Sequence, residues 1–279
     1  MILKPINGDT LPESNQNFLS QLIGLVSDSR NTSEFSPLQT STTISWINPN
    51  GGNWNVAGNW RDGTGVNRVP TSTDNVFIDL AETYTVNLNV IATVNSLTLG
   101  GASGTQTFNT STTLTLGGAS AINQNGVLNF SGGTINGAGD LNVTGRLNWT
   151  GGVMGGTGVT NVAAGATLTR AGSQPRLERV LNNSTMAVFT STSGFFINNG
   201  TFNNQAGAIF DARLDSDIFQ SNPGTFNNSG TFRKSTGTGT TTLSLIFNNT
   251  GTVEVQTGTL SFNGGGTSSG SVTAAAGTT

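Results

Sequence analysis

The sequence predicts an all-β protein, a right-handed parallel β-helix (β-solenoid) with a Trp-rich N-terminal cap and a short N-terminal helix. Three observations indicate this class. From residue 76 onward, short alternations of apolar and small polar residues follow one another, each ended by a Gly or Asn turn. Similar phrases return about every 20 residues, a period typical of solenoids. No helical periodicity of convincing length occurs after residue 44.

The composition suits outward strand positions and tight corners. Thr, Asn and Gly fill 117 of the 279 positions, whereas charged residues make up 9%. Thr is β-branched and favours extended backbone, while Gly and Asn tolerate left-handed turn conformations. A coil built this way has an apolar interior and an exterior made of hydroxyls and amides.

Several function classes are disfavoured by what the composition lacks. The chain has no Cys and no His, which excludes disulfides, thiolate or imidazole metal ligands, and the commonest general base. The net charge is −3 and the cations are scattered, which argues against nucleic-acid binding. We therefore predict no cofactor, no metal and no catalytic residue.

The chain divides into three segments. Residues 1–43 are a flexible N-terminal segment in which apolar spacing predicts one short amphipathic helix at about 13–28. Residues 44–75 are a Trp-rich capping segment. Residues 76–279 are the β-solenoid, which we expect to be truncated at its C-terminal end. No stretch approaches a membrane helix, and the N-terminus lacks the apolar core of a secretory signal.

The capping segment is recognised by its indoles. Trp46, Trp54 and Trp60 lie among Gly and Asn turn residues, and we interpret them as a lid over an apolar end of the solenoid. A stacking platform for sugars or bases is the alternative. Pro70 and Asp74 complete the predicted cap, with Asp74 expected to cap or turn around the first strand.

The clearest repeat is an Asn phrase. FNNSGTF begins at Phe226, and FNNTGTV begins at Phe247, 21 residues later. We predict that these two rings are neighbours in the core. The four amides of the phrase are expected at a corner of the coil, bonding to those above and below: Asn227, Asn228, Asn248 and Asn249.

Two weaker candidate sites remain. Asp211, Asp215 and Asp217 form an acidic cluster that suits an acid and base pair, a calcium site or, as the simplest interpretation, a solvated loop. We expect Asp215 and Asp217 to share one strand face. A carbohydrate-binding surface would instead use exposed aromatic side chains, for which the candidates are Trp149, Phe195 and Phe196.

The segment WNVAGNWRDGTGVNRVPTSTDNVFIDL resembles the opening module of large bacterial surface proteins with right-handed β-helical repeats. The positions that carry the likeness are Trp54, Asn59, Trp60, Val69, Pro70, Asp74 and Ile78. Residues 226–279 resemble the repeat units of filamentous-haemagglutinin-like and autotransporter-like passengers, which are common in cyanobacteria and other environmental bacteria.

This resemblance implies a non-catalytic structural or adhesive segment of a large cell-surface or secreted protein. The location would be extracellular or at the cell surface, and the partners would be surface glycans, matrix or further copies of the chain, with no nucleic acid and no membrane span. A β-helix polysaccharide lyase or hydrolase and a non-catalytic carbohydrate-binding module are the alternatives.

Overall fold

The computed structural model describes residues 42–172, 175–191 and 193–279, so the predicted helix at 13–28 lies outside the described residues. One 3₁₀ turn spans Ala57–Asn59. The strands, in chain order, are β1 (Thr42–Trp46), β2 (Gly52–Asn53), β3 (Trp60–Asp62), β4 (Asp74–Ile78), β5 (Tyr84–Leu88), β6 (Ala92–Val94), β7 (Ser96–Leu99), β8 (Gln106–Thr110), β9 (Leu114–Leu116), β10 (Ser120–Ile122), β11 (Gly126–Phe130), β12 (Thr134–Asn136), β13 (Leu141–Val143), β14 (Arg146–Trp149), β15 (Val153–Met154), β16 (Val159–Val162), β17 (Thr167–Arg170), β18 (Arg176–Leu177), β19 (Val180–Asn183), β20 (Met186–Phe189), β21 (Phe195–Ile197), β22 (Thr201–Asn204), β23 (Ile209–Ala212), β24 (Ile218–Phe219), β25 (Thr225–Asn228), β26 (Thr231–Lys234), β27 (Thr240–Ser244), β28 (Ile246–Asn249), β29 (Thr252–Val255), β30 (Thr259–Phe262) and β31 (Ser271–Ala274).

These strands form three sheets. Sheet A has 11 strands in the order β28-β25-β22-β19-β16-β13-β10-β7-β4-β1-β3. Sheet B has 11 strands in the order β2-β5-β8-β11-β14-β17-β20-β23-β26-β29-β31. Sheet C has nine strands in the order β30-β27-β24-β21-β18-β15-β12-β9-β6. Each sheet therefore takes every third strand of the chain from β4 to β30, which makes nine coils of three strands.

Neighbouring coils pair in parallel, so the structure is a parallel β-solenoid as predicted. Residues paired in these nine coils are separated by 19 positions at the shortest, from Leu128 to Leu147, and by 25 at the longest, from Ile218 to Leu243. The two-residue strand β24 lies in the longest coil. The differences in length are absorbed at the corners, because the strands keep their register. The right-handed sense of the winding stays a prediction.

Alternate side chains of the strands from β4 to β30 point into one continuous apolar interior, whereas all four residues of β31 are exposed. Sheet A contributes two inward rows, in each of which every coil that the row includes supplies one side chain. Row A1 covers the seven coils from β10 to β28, and row A2 covers all nine. Row A1 consists of Ser120, Leu141, Thr160, Leu181, Phe202, Phe226 and Phe247. Row A2 consists of Ile78, Leu99, Ile122, Val143, Val162, Asn183, Asn204, Asn228 and Asn249.

Sheet B also contributes two inward rows. Row B1 consists of Val86, Phe108, Leu128, Leu147, Leu168, Ala187, Phe210, Phe232 and Val253. Row B2 consists of Leu88, Thr110, Phe130, Trp149, Arg170, Phe189, Ala212, Lys234 and Val255. Two cations thus occupy positions that face the interior.

Candidate functional surfaces

The three indoles of the N-terminal segment pack on one another. Trp46 and Trp60 meet edge to face with ring centroids 4.9 Å apart, and Trp54 and Trp60 do so at 4.7 Å. Each is at most 1% exposed, and Trp54 continues into the interior by contact with Phe108. Burial leaves no indole face on which a sugar or base can stack, so the platform alternative is wrong for these residues. Their role as a lid stays a prediction that a stability measurement can test.

Asp74 and Arg68 fasten the start of the first coil. Asp74 is the first residue of β4 and has no exposed surface, and Arg68 contacts its two carboxylate oxygens through Nη1 at 2.6 Å and Nη2 at 2.7 Å. Burial opposes ionisation, but the bonds from Arg68, Thr42 and Thr71 outweigh it and hold the pKa of Asp74 below its usual range. Pro70, four residues before Asp74 in the sequence, is also buried.

The rings of the Asn phrases stack in the core. Phe226 and Phe247 are register partners in β25 and β28, with ring centroids 5.5 Å apart. The ring centroid of Phe202, in the preceding coil, lies 4.8 Å from that of Phe226 and continues the stack. The contacts match the arrangement that the 21-residue repeat predicts.

The amides of the phrases lie in the strands and not at a corner. Asn227 and Asn228 are the last two residues of β25, so alternation sends one amide outward and the other into row A2. Asn248 and Asn249 repeat this placement at the end of β28. The repeat therefore builds two ladders, one on each side of the sheet.

The outward ladder on sheet A runs through six coils. Each Nδ2 donates to the Oδ1 of the coil before it, at 2.8–3.0 Å. Sheet B carries a shorter outward ladder of the same kind through its first coils, at 2.8–3.0 Å. The sheet A ladder consists of Asn142, Asn161, Asn182, Asn203, Asn227 and Asn248, and the sheet B ladder consists of Asn87, Asn109, Asn129 and Asn148.

The acidic candidates do not converge on one site. Asp211 lies on β23, whereas Asp215 and Asp217 both lie between β23 and β24, so the expectation that these two share a strand face is wrong. Asp215 accepts from Lys234 Nζ at 2.6 Å and from the Gly239 amide at 2.9 Å. Asp217 accepts from the backbone N–H of Thr242 at 2.9 Å.

Asp211 belongs to a ladder of alternating charge on sheet B. It is 1% exposed, and its partners in successive coils are Arg233 and then Glu254. Arg233 reaches Asp211 Oδ2 at 3.1 Å, and Arg213 reaches it at 2.8 Å. Burial raises the pKa of Asp211, but the bonds from the arginines and Ser235 lower it by a larger amount. The pKa of Asp211 therefore lies below its usual range.

This charge ladder was missed in the sequence because its signal is spread over three coils. It occupies the same outward row of sheet B as the Asn ladder, and Thr169 and Val188 lie between the two. Once the 21- and 22-residue offsets are known, the triplet Asp211, Arg233 and Glu254 can be read directly.

One aromatic patch faces outward on sheet C. Trp149 and Phe195 are at most 1% exposed and therefore cannot serve as binding side chains. Phe196 is half-buried, and its ring centroid is 3.8 Å from that of Phe219 in the next coil. The guanidinium carbon of Arg176, one coil earlier, lies 5.7 Å from the Phe196 ring centroid.

A glycine makes room for this patch. Gly194 has φ +78°, and a Cβ at this position would stand 2.2 Å from the Phe219 ring. The left-handed backbone and the close approach both require glycine here. The ring of Phe219 is therefore held against the coil surface beside Phe196.

No protein-family model, no curated protein and no solved structure matches this chain. Within the part of the chain that the structure describes, no helix is long and apolar enough to cross a membrane. The same residues contain no group of three or more acidic side chains placed to hold a metal ion.

Proposed function

We propose that this chain is a non-catalytic structural or adhesive segment of a large cell-surface or secreted protein, related to the filamentous-haemagglutinin-like and autotransporter-like passengers of bacteria that its sequence resembles. The observation that carries the proposal is that the acidic candidates form hydrogen bonds within the solenoid. Asp211, Asp215 and Asp217 each accept hydrogen bonds from the following coil, at 3.1, 2.9 and 2.9 Å respectively. Carboxylates held in this way link coils and are poorly placed to exchange protons with a substrate.

The exterior suits a rod. Amide ladders and an ion-pair ladder run parallel to the solenoid axis, so each coil is bonded to its neighbours outside the core as well as inside it. In a repeat protein, stability is the sum of such nearest-neighbour terms. A long solenoid built in this way holds its shape over its length and presents rows of polar side chains along its surface.

The test combines binding and turnover. The purified chain is incubated with a broad glycan panel, with intact cells and with matrix proteins, and both retention and released products are measured. We expect retention without product. Product release that disappears in the double variant Asp215→Asn and Asp217→Asn would instead establish the polysaccharide lyase or hydrolase alternative.

The carbohydrate-binding alternative is favoured by one observation, the outward pair of Phe196 and Phe219 beside Arg176. Aromatic faces stack on the apolar faces of sugar rings, and the guanidinium adds hydrogen-bond donors. Phe196→Ala is expected to abolish glycan retention if this patch binds. The matched control is Phe262→Ala, which removes another exposed phenyl ring, 43% exposed, at the last coil. Equal retention by both variants would exclude the patch.

A further inference from the structure

Lys234 brings a primary amine into the interior of the solenoid. It is the last residue of β26, belongs to row B2 and has no exposed surface. Its Nζ donates to Asp215 Oδ1 at 2.6 Å, and to the Thr241 hydroxyl and the Thr236 carbonyl oxygen, each at 3.2 Å. Burying an ammonium group is costly, and this cost disappears if the amine becomes part of an amide.

The carboxyl group of Asp215 is held against this amine. Its Oδ2 accepts from the Gly239 backbone N–H at 2.9 Å, so its two oxygens have different partners. The chain between β26 and β27 passes close to the carboxyl group at two glycines. A Cβ on Gly237 would stand 2.7 Å from the Asp215 Cγ, and a Cβ on Gly239 would stand 2.9 Å from Oδ2. Gly237 also has φ +84°, a conformation that favours glycine. Both glycines therefore allow the backbone to hold the carboxyl group in place.

The other cation of row B2 has a different environment. Arg170 is also buried, at 3% exposed, but its guanidinium carbon lies 4.4 Å from the Phe189 ring centroid and 4.3 Å from that of Phe195. Among residues 42–172, 175–191 and 193–279, no carboxylate forms an ion pair with Arg170. Of these two inward cations, only Lys234 therefore has a described carboxyl group beside its nitrogen.

The two groups are arranged for condensation. The pair is ionised at the outset, because the bonds from Lys234 and Gly239 lower the pKa of Asp215. The hydrogen bond of 2.6 Å from Nζ to Oδ1 is the path by which one proton can pass to the carboxylate, which leaves a neutral amine as the nucleophile. Fixing two reactants side by side is worth an effective concentration on the order of 10⁵–10⁸ M.

The structure also provides for the charge that develops during the reaction. When Nζ attacks Cγ, negative charge gathers on Oδ2, which already faces the Gly239 N–H. A second proton then passes from Nζ to Oδ1, and Oδ1 leaves as water. The exposed part of the Asp215 side chain, 37%, gives this water a route to solvent.

We propose that Lys234 and Asp215 form an intramolecular isopeptide bond between Nζ and Cγ, with release of one water molecule. Of the three protons of the ammonium group, two leave with Oδ1 and one stays on the amide nitrogen. The amide oxygen is Oδ2, which keeps the Gly239 N–H as its donor, and the Thr236 carbonyl oxygen is placed to accept the remaining N–H.

The bond joins two successive coils. Asp215 belongs to the coil that contains β24, and Lys234 belongs to the next coil, so the bond crosses the longest step between paired residues in the solenoid. A covalent link of this kind reduces the conformational entropy of the unfolded chain. It also opposes any force that pulls these two coils apart with a covalent bond in addition to hydrogen bonds.

The experiment measures the mass of the intact, denatured wild-type chain. We expect it to be lower than the mass of the sequence by one water molecule. Trypsin then locates the loss. Cleavage after Arg213 and Arg233 releases residues 214–233, which should remain joined to residues 234–279, because an acylated Lys234 is no longer a cleavage site.

Two variants identify the carboxyl group. Asp215→Ala should restore the full mass and release residues 214–233 as a free peptide. Asp217→Ala is the matched control and should keep the link, since Asp217 lies in the same tryptic peptide but accepts from the Thr242 N–H.

The wild-type chain alone can overturn the proposal, even if Asp215→Ala fails to fold. A chain of full mass shows that the two groups remain an ion pair. A chain that lacks one water molecule but is still cut after Lys234 has lost it elsewhere, for instance by ring closure at an Asp, and this result equally refutes the bond. Persistence of the link in Asp215→Ala refutes the assignment to Asp215.

Discussion

The early and late coils of the solenoid fill the same interior positions with different chemistry. In row A2, the coils up to β16 supply Ile78, Leu99, Ile122, Val143 and Val162, whereas the coils from β19 onward supply Asn183, Asn204, Asn228 and Asn249. All nine side chains are buried. An aliphatic row thus becomes an amide row without any change in the register of the sheet.

The difference shows what a buried amide needs in this fold. Asn228 Nδ2 donates to Asn249 Oδ1 at 2.8 Å and to the Thr252 carbonyl at 2.9 Å, while its own Oδ1 accepts from Asn204 at 2.8 Å. Asn204 and Asn228 are each bonded to the amides of the coils on both sides, so the cost of burying them is met only when the row is continuous. Row A1 changes in parallel, since its Phe residues begin at Phe202, one coil after the amides begin.

The largest effect is expected from the aromatic side of this comparison. Phe226→Ala removes a ring with no exposed surface that lies within 5.5 Å of Phe202, Phe210, Phe232 and Phe247. The free energy of unfolding should fall by about 3–5 kcal/mol in urea denaturation. Leu141→Ala is the matched change in an early coil, and a larger loss there than at Phe226 would contradict the view that the late core depends on ring stacking.

Exchanging the two chemistries of row A2 tests the continuity of the amide row. Asn228→Val leaves the amides of Asn204 and Asn249 each without one partner, and should cost about 1–3 kcal/mol. Val143→Asn places a lone amide between Ile122 and Val162 and should cost about as much or more. Both are measured by denaturant unfolding. A stabilised Asn228→Val chain would contradict the view that the continuous amide row stabilises the fold.

Acid tests the ion pair of the early coils against that of the late coils. The folded-state pKa of Asp74 is lowered, so its contribution is complete above the unfolded pKa of about 3.9 and is lost as the pH falls below that value. Tm is measured from about pH 7 to pH 3. Asp74→Asn should lower Tm at neutral pH and flatten the acid decline. Asp211→Asn should likewise lower Tm at neutral pH and flatten the acid decline, because the pKa of Asp211 is also lowered.

Curves of Tm against pH that run parallel for the wild type and Asp74→Asn would refute the view that ionised Asp74 stabilises the fold.

The smallest effect is expected on the outer surface. Asn227→Ala interrupts the outward ladder of sheet A at bonds of 2.9 Å to Asn203 and Asn248, and should cost about 0.5–1 kcal/mol because the amide is only half-buried. Thr225→Ala, on the same face of β25 but outside the ladder, is the control. Equal losses in the two variants would mean that the outward amides add nothing to coil pairing.

How far the sequence predicts this fold depends on whether a signal repeats. The Phe226 and Phe247 pair was predictable, because the phrase recurs at the length of one coil and a ring at a fixed phase must meet its copy. The Asn pairs were assigned to a corner because Asn favours turns. In the structure they end strands, since neighbouring coils offer their amides partners that an isolated turn cannot.

Sites whose side chains come from several coils could not be predicted from the sequence. The spacing of Asp215 and Asp217 predicted a shared strand face, but the long coil leaves both between strands, where each meets a donor from the next coil. Phe195 and Phe196 are adjacent in the sequence and therefore face opposite sides of a strand, but the sequence does not say which one is inside. Register with Phe219 shows that Phe196 is the outward ring.

The sequence by itself determined that the chain is an all-β solenoid, because period-two alternation and a coil-length repeat can both be recognised without knowledge of any tertiary contact. Tertiary structure alone decided which polar side chains are satisfied. Arg170 and Lys234 occupy the same inward row, but only the stacking of coils brings Asp215 to one and an aromatic sandwich with a small cavity to the other. Those neighbours lie about a coil or more away in sequence, and coil lengths that vary from 19 to 25 residues hide them from any fixed spacing.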